Sequence, residues 1–139
     1  ERFSLFASAN NKMEGVKDIL FFTPIKGVVT QPFNAKDQHF GVDVVSKENE
    51  AVKATLDGVV ALSSWTSETG HVIALLHDNN LFSVYKHNSV LLKEQGDKVV
   101  VGEAIAIIGN SGDLSTGPHL HFELWHNNKP IDPERYIVF

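Results

Sequence analysis

The sequence predicts an all-β fold, a compact antiparallel β-sandwich or half-barrel built from short strands. The first observation is that short β-rich runs separated by turn residues follow one another from Thr23 onward, with the spacing usual for sandwiches and barrels. The second is that no segment keeps a 3.6-residue apolar period over about 12 positions, the pattern that an amphipathic helix requires. We therefore expect antiparallel strands and no long helix.

Nine runs are predicted to form strands. They cover residues 27–30, 41–45, 51–55, 58–63, 72–77, 81–87, 98–101, 104–108 and 119–125. The sequence Asp-Asn-Asn at 78–80 separates two strongly β-prone runs and predicts a hairpin, because these residue types tolerate the backbone of tight turns. Asp57-Gly58 and Asn127-Asn128 predict two further turns.

The first 22 residues differ from the rest of the chain. Their polar middle lies between two short apolar ends, which is compatible with a helical turn plus an edge strand, or with the tail of an upstream region. We therefore divide the chain into an unassigned N-terminal extension, residues 1–22, and one β domain, residues 23–139. Because the chain begins at Glu1, we expect a mature or trimmed form from which a signal peptide has been removed.

Composition limits the classes of protein that this chain represents. With 42% hydrophobic and 21% charged residues among 139, it fits one globular domain and not a disordered chain. Twelve basic against 17 acidic residues give a net charge of −5, which disfavours a nucleic-acid binder. The chain contains no run of about 18 apolar residues, so the sequence predicts no membrane-spanning helix. The lack of cysteine excludes disulfide scaffolds, cysteine nucleophiles and thiolate metal sites.

The seven histidines give the strongest functional signal, beginning with His119-Leu120-His121. On a strand, residues two apart point to the same face, whereas on a helix they point to nearly opposite sides. Alternation with apolar residues predicts that His119, His121 and Glu123 share one face of a strand. Taken alone, the motif is also compatible with two solvent-exposed histidines on an edge strand.

His39 and Asp43 form a second pattern, His-x-x-x-Asp. Gly41 and the β-branched residues after it favour an extended segment, in which an offset of four also places both side chains on one face. Taken alone, a surface histidine and a locally capping aspartate would also explain the pattern. Combined with His119 and His121, it supplies the parts of a catalytic zinc site, which needs three protein ligands and an open position.

The other polar residues have weaker assignments. His87 ends the run 81–87, with Tyr85 predicted on the same face. Glu123 is compatible with orienting a ligand histidine or with a solvated strand position, and Tyr85 with an oxyanion donor or with packing on the sheet. Three histidines are most simply surface or turn residues: His71, His77 and His126. The serines of the glycine-rich loop have no visible activating partner, which disfavours a serine hydrolase.

The chain contains three notable motifs, HFGVD at 39–43, YKH at 85–87 and STGPHLHFEL at 115–124. They resemble motifs of the lysostaphin/LytM-type zinc metallopeptidases that cleave peptidoglycan cross-links. The resemblance runs from about Thr23 to Tyr136. The last motif is long and specific, whereas the first would be too short to establish the resemblance alone.

The resemblance implies a role for each matching residue. His39, Asp43 and His121 match the family's zinc ligands, and His119 and His87 match its two catalytic histidines. One zinc ion is implied, in an active-site groove walled by loops around residues 34–38, 64–70 and 109–118. We expect a metal-activated water to attack a peptide carbonyl, while the two catalytic histidines hold the water, move its proton and stabilise the oxyanion.

Two positions depart from the family pattern. Asn88 stands where leucine is usual, and His71 where asparagine is usual. We expect Asn88 to change the packing at a strand end without changing the chemistry. We expect His71 to lie beside the substrate groove.

The function that the resemblance implies is a zinc endopeptidase that hydrolyses peptide bonds in peptidoglycan cross-links, outside the cytoplasm and as a monomer. Its partners would be peptidoglycan stem peptides and cross-bridges. The alternative is a non-catalytic peptidoglycan-binding or regulatory module of the same fold. A phosphocarrier or lipoyl-type carrier is disfavoured, because Lys53 lies inside a strand-like run and a phosphocarrier would not need Asp43.

Overall fold

The computed structural model of the chain describes residues 16–109 and 117–139. Within these ranges the backbone forms ten strands: β1 (Val28–Gln31), β2 (Val42–Val45), β3 (Ala51–Lys53), β4 (Gly58–Thr66), β5 (Gly70–Leu76), β6 (Leu81–Leu91), β7 (Lys98–Val99), β8 (Ala104–Ile108), β9 (His119–His126) and β10 (Lys129–Ile131). The described residues also include two 3₁₀ turns, Ala35–Asp37 and Pro133–Arg135, and residues 16–18 are helical. The predicted all-β, antiparallel fold is confirmed.

All nine predicted strands are present, although several boundaries differ. β4 and β6 run further than predicted, to Thr66 and Leu91, and β10 is absent from the sequence-based prediction. Asn127 and Asn128 have positive φ angles of 52° and 65°. They close a two-residue hairpin between β9 and β10, for which a type I′ turn requires this backbone.

β6 organises the sheet, because it pairs with three other strands along its length. Its first part pairs with β5 and β9 on either side, and its last part pairs with β8. The strand order is β1-β2-β9-β6-β5-β4-β7, with β10 added to β9 and β3 added to β8. β9, which contains the His-x-His motif, therefore lies between β2 and β6.

Alternation along the central strands decides which side chains form the core. On β9, Leu120, Phe122 and Leu124 are fully buried, and on β2 the same is true of Val42 and Val44. Burying each of these side chains stabilises the fold by roughly 1.5–3 kcal/mol. A slip of one residue in register would exchange the apolar and polar faces, so this burial fixes the register that builds the site.

The segment before β1 packs against the same core. Val16 is almost fully buried, and Ile19 and Phe21 pack against the core residues. The backbone N–H of Phe22 donates to the carbonyl of Thr55 at 2.9 Å, and the Thr55 hydroxyl donates back to the Phe22 carbonyl at 2.7 Å. Among the described residues, no helix has the length and apolar character needed to cross a membrane.

Candidate metal centre

The register between β2 and β9 brings Asp43 beside His121. The two residues are Cα partners in this antiparallel pair, so their side chains leave the sheet on the same face. Asp43 Oδ1 lies 2.7 Å from His121 Nδ1. The alternation that buries Val44 and Phe122 therefore directs a carboxylate and an imidazole into one site.

His39 reaches this site from a closed loop before β2. The side chain of Asn34 accepts two backbone N–H groups of the 3₁₀ turn, and Asn34 and His39 exchange backbone hydrogen bonds of 2.8 and 2.9 Å. Between them Gln38 adopts a positive φ of 59°, which reverses the chain. His39 Nε2 consequently lies 3.4 Å from Asp43 Oδ2.

The three side chains form a group that fits a divalent metal. One ligand atom from each of His39, Asp43 and His121 lies within 4.8 Å of the other two. His39 Nδ1–H donates to the carbonyl of Pro32 at 2.8 Å, which leaves the lone pair on Nε2. Within the described part of the chain, that buried Nε2 has no hydrogen-bond partner. A free lone pair, a carboxylate and a second imidazole are a donor set that zinc accepts.

Glu123 fixes the tautomer of His121. Its Oε2 accepts the Nε2–H of His121 at 2.8 Å, so in the neutral ring the lone pair is on Nδ1, which faces Asp43. A lone pair does not bond to a carboxylate oxygen unless a proton or a cation lies between them. Burial lowers the pKa of His121, but the hydrogen bonds and charges of Asp43 and Glu123 outweigh it and raise that pKa. The position between His121 and Asp43 therefore favours a cation.

Both carboxylates of the site stay ionised at neutral pH. Burial raises the pKa of Asp43, but the hydrogen bond and charge of His121 bring it below its ordinary value. Burial also raises the pKa of Glu123, yet the donors His121, Trp125 and Lys86 bring it down to about 2. The site consequently presents two negative charges to a bound cation.

A β-bulge in β6 turns His87 toward these residues. Between Tyr85 and Asn88, β6 contains one residue more than the segment of β5 with which it pairs. Within this bulge His87 adopts a positive φ of 70°. The backbone N–H of His87 donates to the carbonyl of Thr69 at 2.8 Å. Asn88 supports the bulge, because its side-chain amide donates to the carbonyls of Tyr85 and His71. Bulges beside active sites re-aim side chains in this way.

The structure brings all five predicted site residues into one cluster of rings and one carboxylate. The ring centroids of His87 and His119 lie 5.2 Å apart, those of His87 and His121 6.1 Å, and those of His39 and His121 5.1 Å. Burial lowers the pKa of His87, and the charges of His119 and His121 lower it further. The rings of His87 and His119, which are not candidate ligands, therefore lie next to the two imidazoles that could hold a metal with Asp43. The lowered pKa of His87 keeps its ring neutral and able to accept a proton.

Sequence reasoning missed three residues that support this cluster: Pro32, Lys86 and Trp125. The Lys86 ammonium lies 3.1 Å from Glu123 Oε2, and Trp125 Nε1–H donates to Glu123 Oε1 at 2.9 Å. The position of Trp125 could have been predicted, because it follows Glu123 by two residues and residues two apart on a strand share a face. The partner of Lys86 depends on the register between β6 and β9, which the local sequence does not contain.

Several weaker assignments are corrected by the structure. Glu123 is 7% exposed, so it is not a solvated strand residue. Tyr85 does not share a face with His87, because the bulge lies between them. It is fully buried, and its hydroxyl accepts the backbone N–H of Thr55 at 3.1 Å. His77 and His126, assigned to the surface, are each only 8% exposed.

Two of the three loops predicted to wall a groove lie within the described residues, and most of the third does not. Residues 34–38 form the closed turn before His39, and residues 64–70 include the end of β4 and the turn whose Thr69 carbonyl binds the backbone of His87. Most of the third loop, residues 110–116, lies outside the described residues. Its two ends are described: Gly109 forms a β-bridge with His119, and the Pro118 carbonyl accepts the N–H of Ser46.

Comparison with known proteins identifies relatives of two kinds. Over 116 residues the chain is 33% identical to the murein hydrolase activator NlpD of Escherichia coli, covering 82% of this chain and 30% of that protein. Over 95 residues it is 35% identical to the DD-carboxypeptidase/endopeptidase Mpg of Neisseria meningitidis, covering 68% and 22%. A crystal structure of a zinc-containing peptidase from Vibrio cholerae superposes with a TM-score of 0.73 and 30% identity, covering 82% and 39%.

The chain thus spans about a third or less of the curated relatives that it matches. The model of Peptidase family M23 matches residues 37–133, which include both histidine motifs. The resemblance to lysostaphin/LytM-type peptidases is therefore confirmed, and the chain belongs to peptidase family M23.

Proposed function

We propose that this protein is a zinc-dependent endopeptidase that hydrolyses peptide bonds in peptidoglycan cross-links. The observation that carries the proposal is the complete cluster: three ligand atoms within 4.8 Å of one another, with the rings of His87 and His119 beside them. An inactive module has no need to keep all five side chains in this arrangement. Membership of a peptidase family supports the same reaction class.

His39, Asp43 and His121 would hold the zinc ion. When bound, zinc supplies a Lewis acid for the scissile carbonyl and lowers the pKa of water toward about 7. The chain contributes the pre-organisation: Pro32 and Glu123 each take the N–H of a ligand histidine, so that Nε2 of His39 and Nδ1 of His121 present their lone pairs.

His87 and His119 would act on the water and on the oxyanion. Their rings would hold the attacking water through a ring nitrogen, take its proton and then donate it to the leaving amine. An N–H of either ring stabilises the negative charge that develops on the carbonyl oxygen. The lowered pKa of His87 keeps its ring neutral, which favours the role of proton acceptor.

Peptidoglycan is proposed as the substrate because of the family and its members' names. One relative is named as a murein hydrolase activator and another as a DD-carboxypeptidase/endopeptidase. We therefore propose stem peptides or cross-bridges as the partners, and a location outside the cytoplasm, where peptidoglycan lies. The chain would act as a monomer.

A second candidate is a non-catalytic module that binds peptidoglycan or regulates another hydrolase. The similarity to a murein hydrolase activator favours it. The two candidates differ in metal content and in turnover. A regulatory module requires neither bound zinc nor release of peptides by the chain itself.

Digestion of purified sacculi tests the proposal directly. The chain is incubated with sacculi, with a zinc chelator, and with the chelator followed by added zinc, and released peptides are identified by mass spectrometry. We expect uncross-linked peptides only when zinc is present. His119→Ala and His87→Ala should retain zinc and lose at least a hundredfold in rate. Glu103→Gln, which breaks an ion pair with Lys93 and changes none of the five site residues, is the control.

Two results would contradict the endopeptidase. Peptide release that persists at full rate in His119→Ala with zinc bound would exclude the assigned role of that histidine. A chain that binds sacculi, contains no zinc after purification with added metal, and releases no peptide would establish the regulatory module instead.

A further inference from the structure

Lys86 places an ammonium group on the face of the sheet that contains the candidate metal ligands. Its Cα pairs with that of His121 across β6 and β9, so the two side chains leave the sheet together. The ammonium lies 3.1 Å from Glu123 Oε2, and 28% of the Lys86 side chain is exposed to solvent. Neither the metal nor the proposed proton transfers use this residue.

Glu123 has two hydrogen-bond donors besides Lys86. Its Oε2 accepts the Nε2–H of His121 at 2.8 Å, and its Oε1 accepts the Nε1–H of Trp125 at 2.9 Å. An ammonium group has three N–H donors, and only Glu123 accepts from Lys86 within residues 16–109 and 117–139. A partly exposed ion pair adds little stability, so support of Glu123 alone does not account for a lysine here.

The ammonium and the proposed catalytic histidines lie on opposite sides of His121. Along β9, His119 precedes His121 by two residues and Glu123 follows it by two. Two residues of a strand span about 7 Å. A carbonyl placed over the metal ligands would therefore have His87 and His119 on one side and the Lys86 ammonium on the other.

The charges of the site favour an anion at this position. Asp43 and Glu123 place two carboxylates in the site, and the Lys86 ammonium pairs with one of them at 3.1 Å. A divalent cation on the candidate ligands would leave the cluster with one net positive charge. The Lys86 ammonium has two N–H donors that Glu123 does not use. They are suited to a carboxylate, which an ammonium binds as a point charge.

We propose that Lys86 binds a carboxylate of the substrate that lies within two residues of the scissile bond. This inference rests on the proposed peptidase function and names a chemical requirement of its substrate. The carboxylate has two sources in a peptide, a free C-terminus or an acidic side chain. Lys86 would be a specificity residue, since it contacts neither the water nor the oxyanion.

Synthetic peptides that differ in one group test the proposal. The set contains a stem peptide with all carboxylates free, the same peptide amidated at the C-terminus, and the same peptide amidated at the side chain. For the zinc-loaded chain we expect kcat/KM to fall at least tenfold for one amide, which identifies the source. In Lys86→Met the ratio of kcat/KM for the acid peptide to kcat/KM for the amide peptide should fall by tenfold or more. In Lys86→Arg, which keeps the positive charge, this ratio should stay close to that of the wild type.

A binding measurement gives a second readout that does not require turnover. By calorimetry on the zinc-free chain, the free-acid peptide should bind at least fivefold more tightly to the wild type than to Lys86→Met. Lys93→Met, which removes a different lysine–glutamate pair with Glu103, is the matched control and should bind like the wild type.

The possible failures are distinct. If Lys86→Met lowers the rates for acid and amide peptides by the same factor and binds the acid peptide as tightly as the wild type, Lys86 only supports Glu123 and the inference is wrong. If the wild type cleaves neither peptides nor sacculi, the proposed function fails, and the calorimetric comparison still decides whether Lys86 binds a carboxylate.

Discussion

The carbonyl oxygen of His87 occupies the space in which a side chain on Gly109 would begin. A Cβ built on Gly109 would lie 1.7 Å from that oxygen, far inside van der Waals contact. Gly109 also forms a β-bridge with His119. One glycine thus contacts the backbones of both proposed catalytic histidines, and its lack of a side chain permits the bulge that directs His87 to the site.

Gly109→Ala should therefore displace His87 while leaving the candidate metal ligands in place. We expect kcat to fall about a hundredfold or more, because a shift of about 1 Å in a catalytic group has effects of this size. Zinc content, measured by mass spectrometry, should remain near one ion per chain. Gly96→Ala is the control, since nothing lies within 4 Å of its Cβ position and its positive φ of 94° tests backbone strain alone. Equal losses in the two variants would show that destabilisation, not displacement of His87, is the cause.

Glu123→Gln should weaken zinc binding without removing a ligand. The substitution removes the charge that accepts His121 Nε2–H, so the tautomer with its lone pair on Nδ1 loses its preference. We expect the zinc dissociation constant to rise about 10- to 100-fold, measured by competition with a chromogenic chelator. Glu103→Gln breaks an ion pair with Lys93 and should not change zinc affinity, because the hydrogen-bond partners of the Glu103 carboxylate are Lys93 and Val100. Unchanged affinity in Glu123→Gln would mean that the carboxylate does not orient the ligand.

Tyr85→Phe should reduce stability and leave catalysis intact. The Tyr85 hydroxyl is buried, accepts the N–H of Thr55 at 3.1 Å and hydrogen bonds to the Ser83 hydroxyl at 2.8 Å. Removing it leaves a buried N–H without a partner, which costs about 1–3 kcal/mol of the free energy of unfolding. Urea denaturation measures the loss, and peptide release from sacculi should keep the wild-type kcat. A large fall in kcat at full zinc occupancy would restore Tyr85 as a candidate oxyanion donor.

The faces of β2 and β9 could be predicted from the sequence because their alternation is unbroken. The period of two in residues 119–125 separates Leu120 and Phe122 from His121 and Glu123. Burial of the apolar set then fixes the register that pairs Asp43 with His121. A pattern within each strand was thus sufficient to predict which of its side chains face the site.

The assignments that failed depend on contacts between distant segments. Alternation along a strand predicts that Tyr85 and His87 share one face, and this prediction is wrong. The bulge that separates them depends on the pairing with β5 and on the close approach of Gly109. His77 was assigned to the surface because histidine is polar. It is buried because its two ring nitrogens find the Asp57 carbonyl at 2.6 Å and the Ser83 hydroxyl at 2.7 Å, partners that a local reading of the sequence does not reveal.

The buried ring of His77 predicts that the fold weakens in mild acid. Burial lowers the pKa of His77 below its ordinary value of 6.5, although the Asp57 carbonyl and the charges of Asp78 and Asp57 oppose this effect. The unfolded chain therefore binds a proton more readily than the folded chain. Its contribution to stability is fully present above about pH 6.5 and is lost as the pH falls from there toward the folded pKa, by at most about 1.4 kcal/mol per pH unit.

The measurement compares urea denaturation of the wild type and His77→Gln between pH 5.0 and 7.5, with zinc bound so that the site histidines hold metal. We expect the wild type to lose more of its free energy of unfolding than His77→Gln as the pH falls below 6.5. His71→Gln is the control for removing a half-buried histidine from β5, and should follow the wild-type profile. Parallel profiles for the wild type and His77→Gln would show that another group causes the acid sensitivity, because glutamine at this position cannot take up the proton.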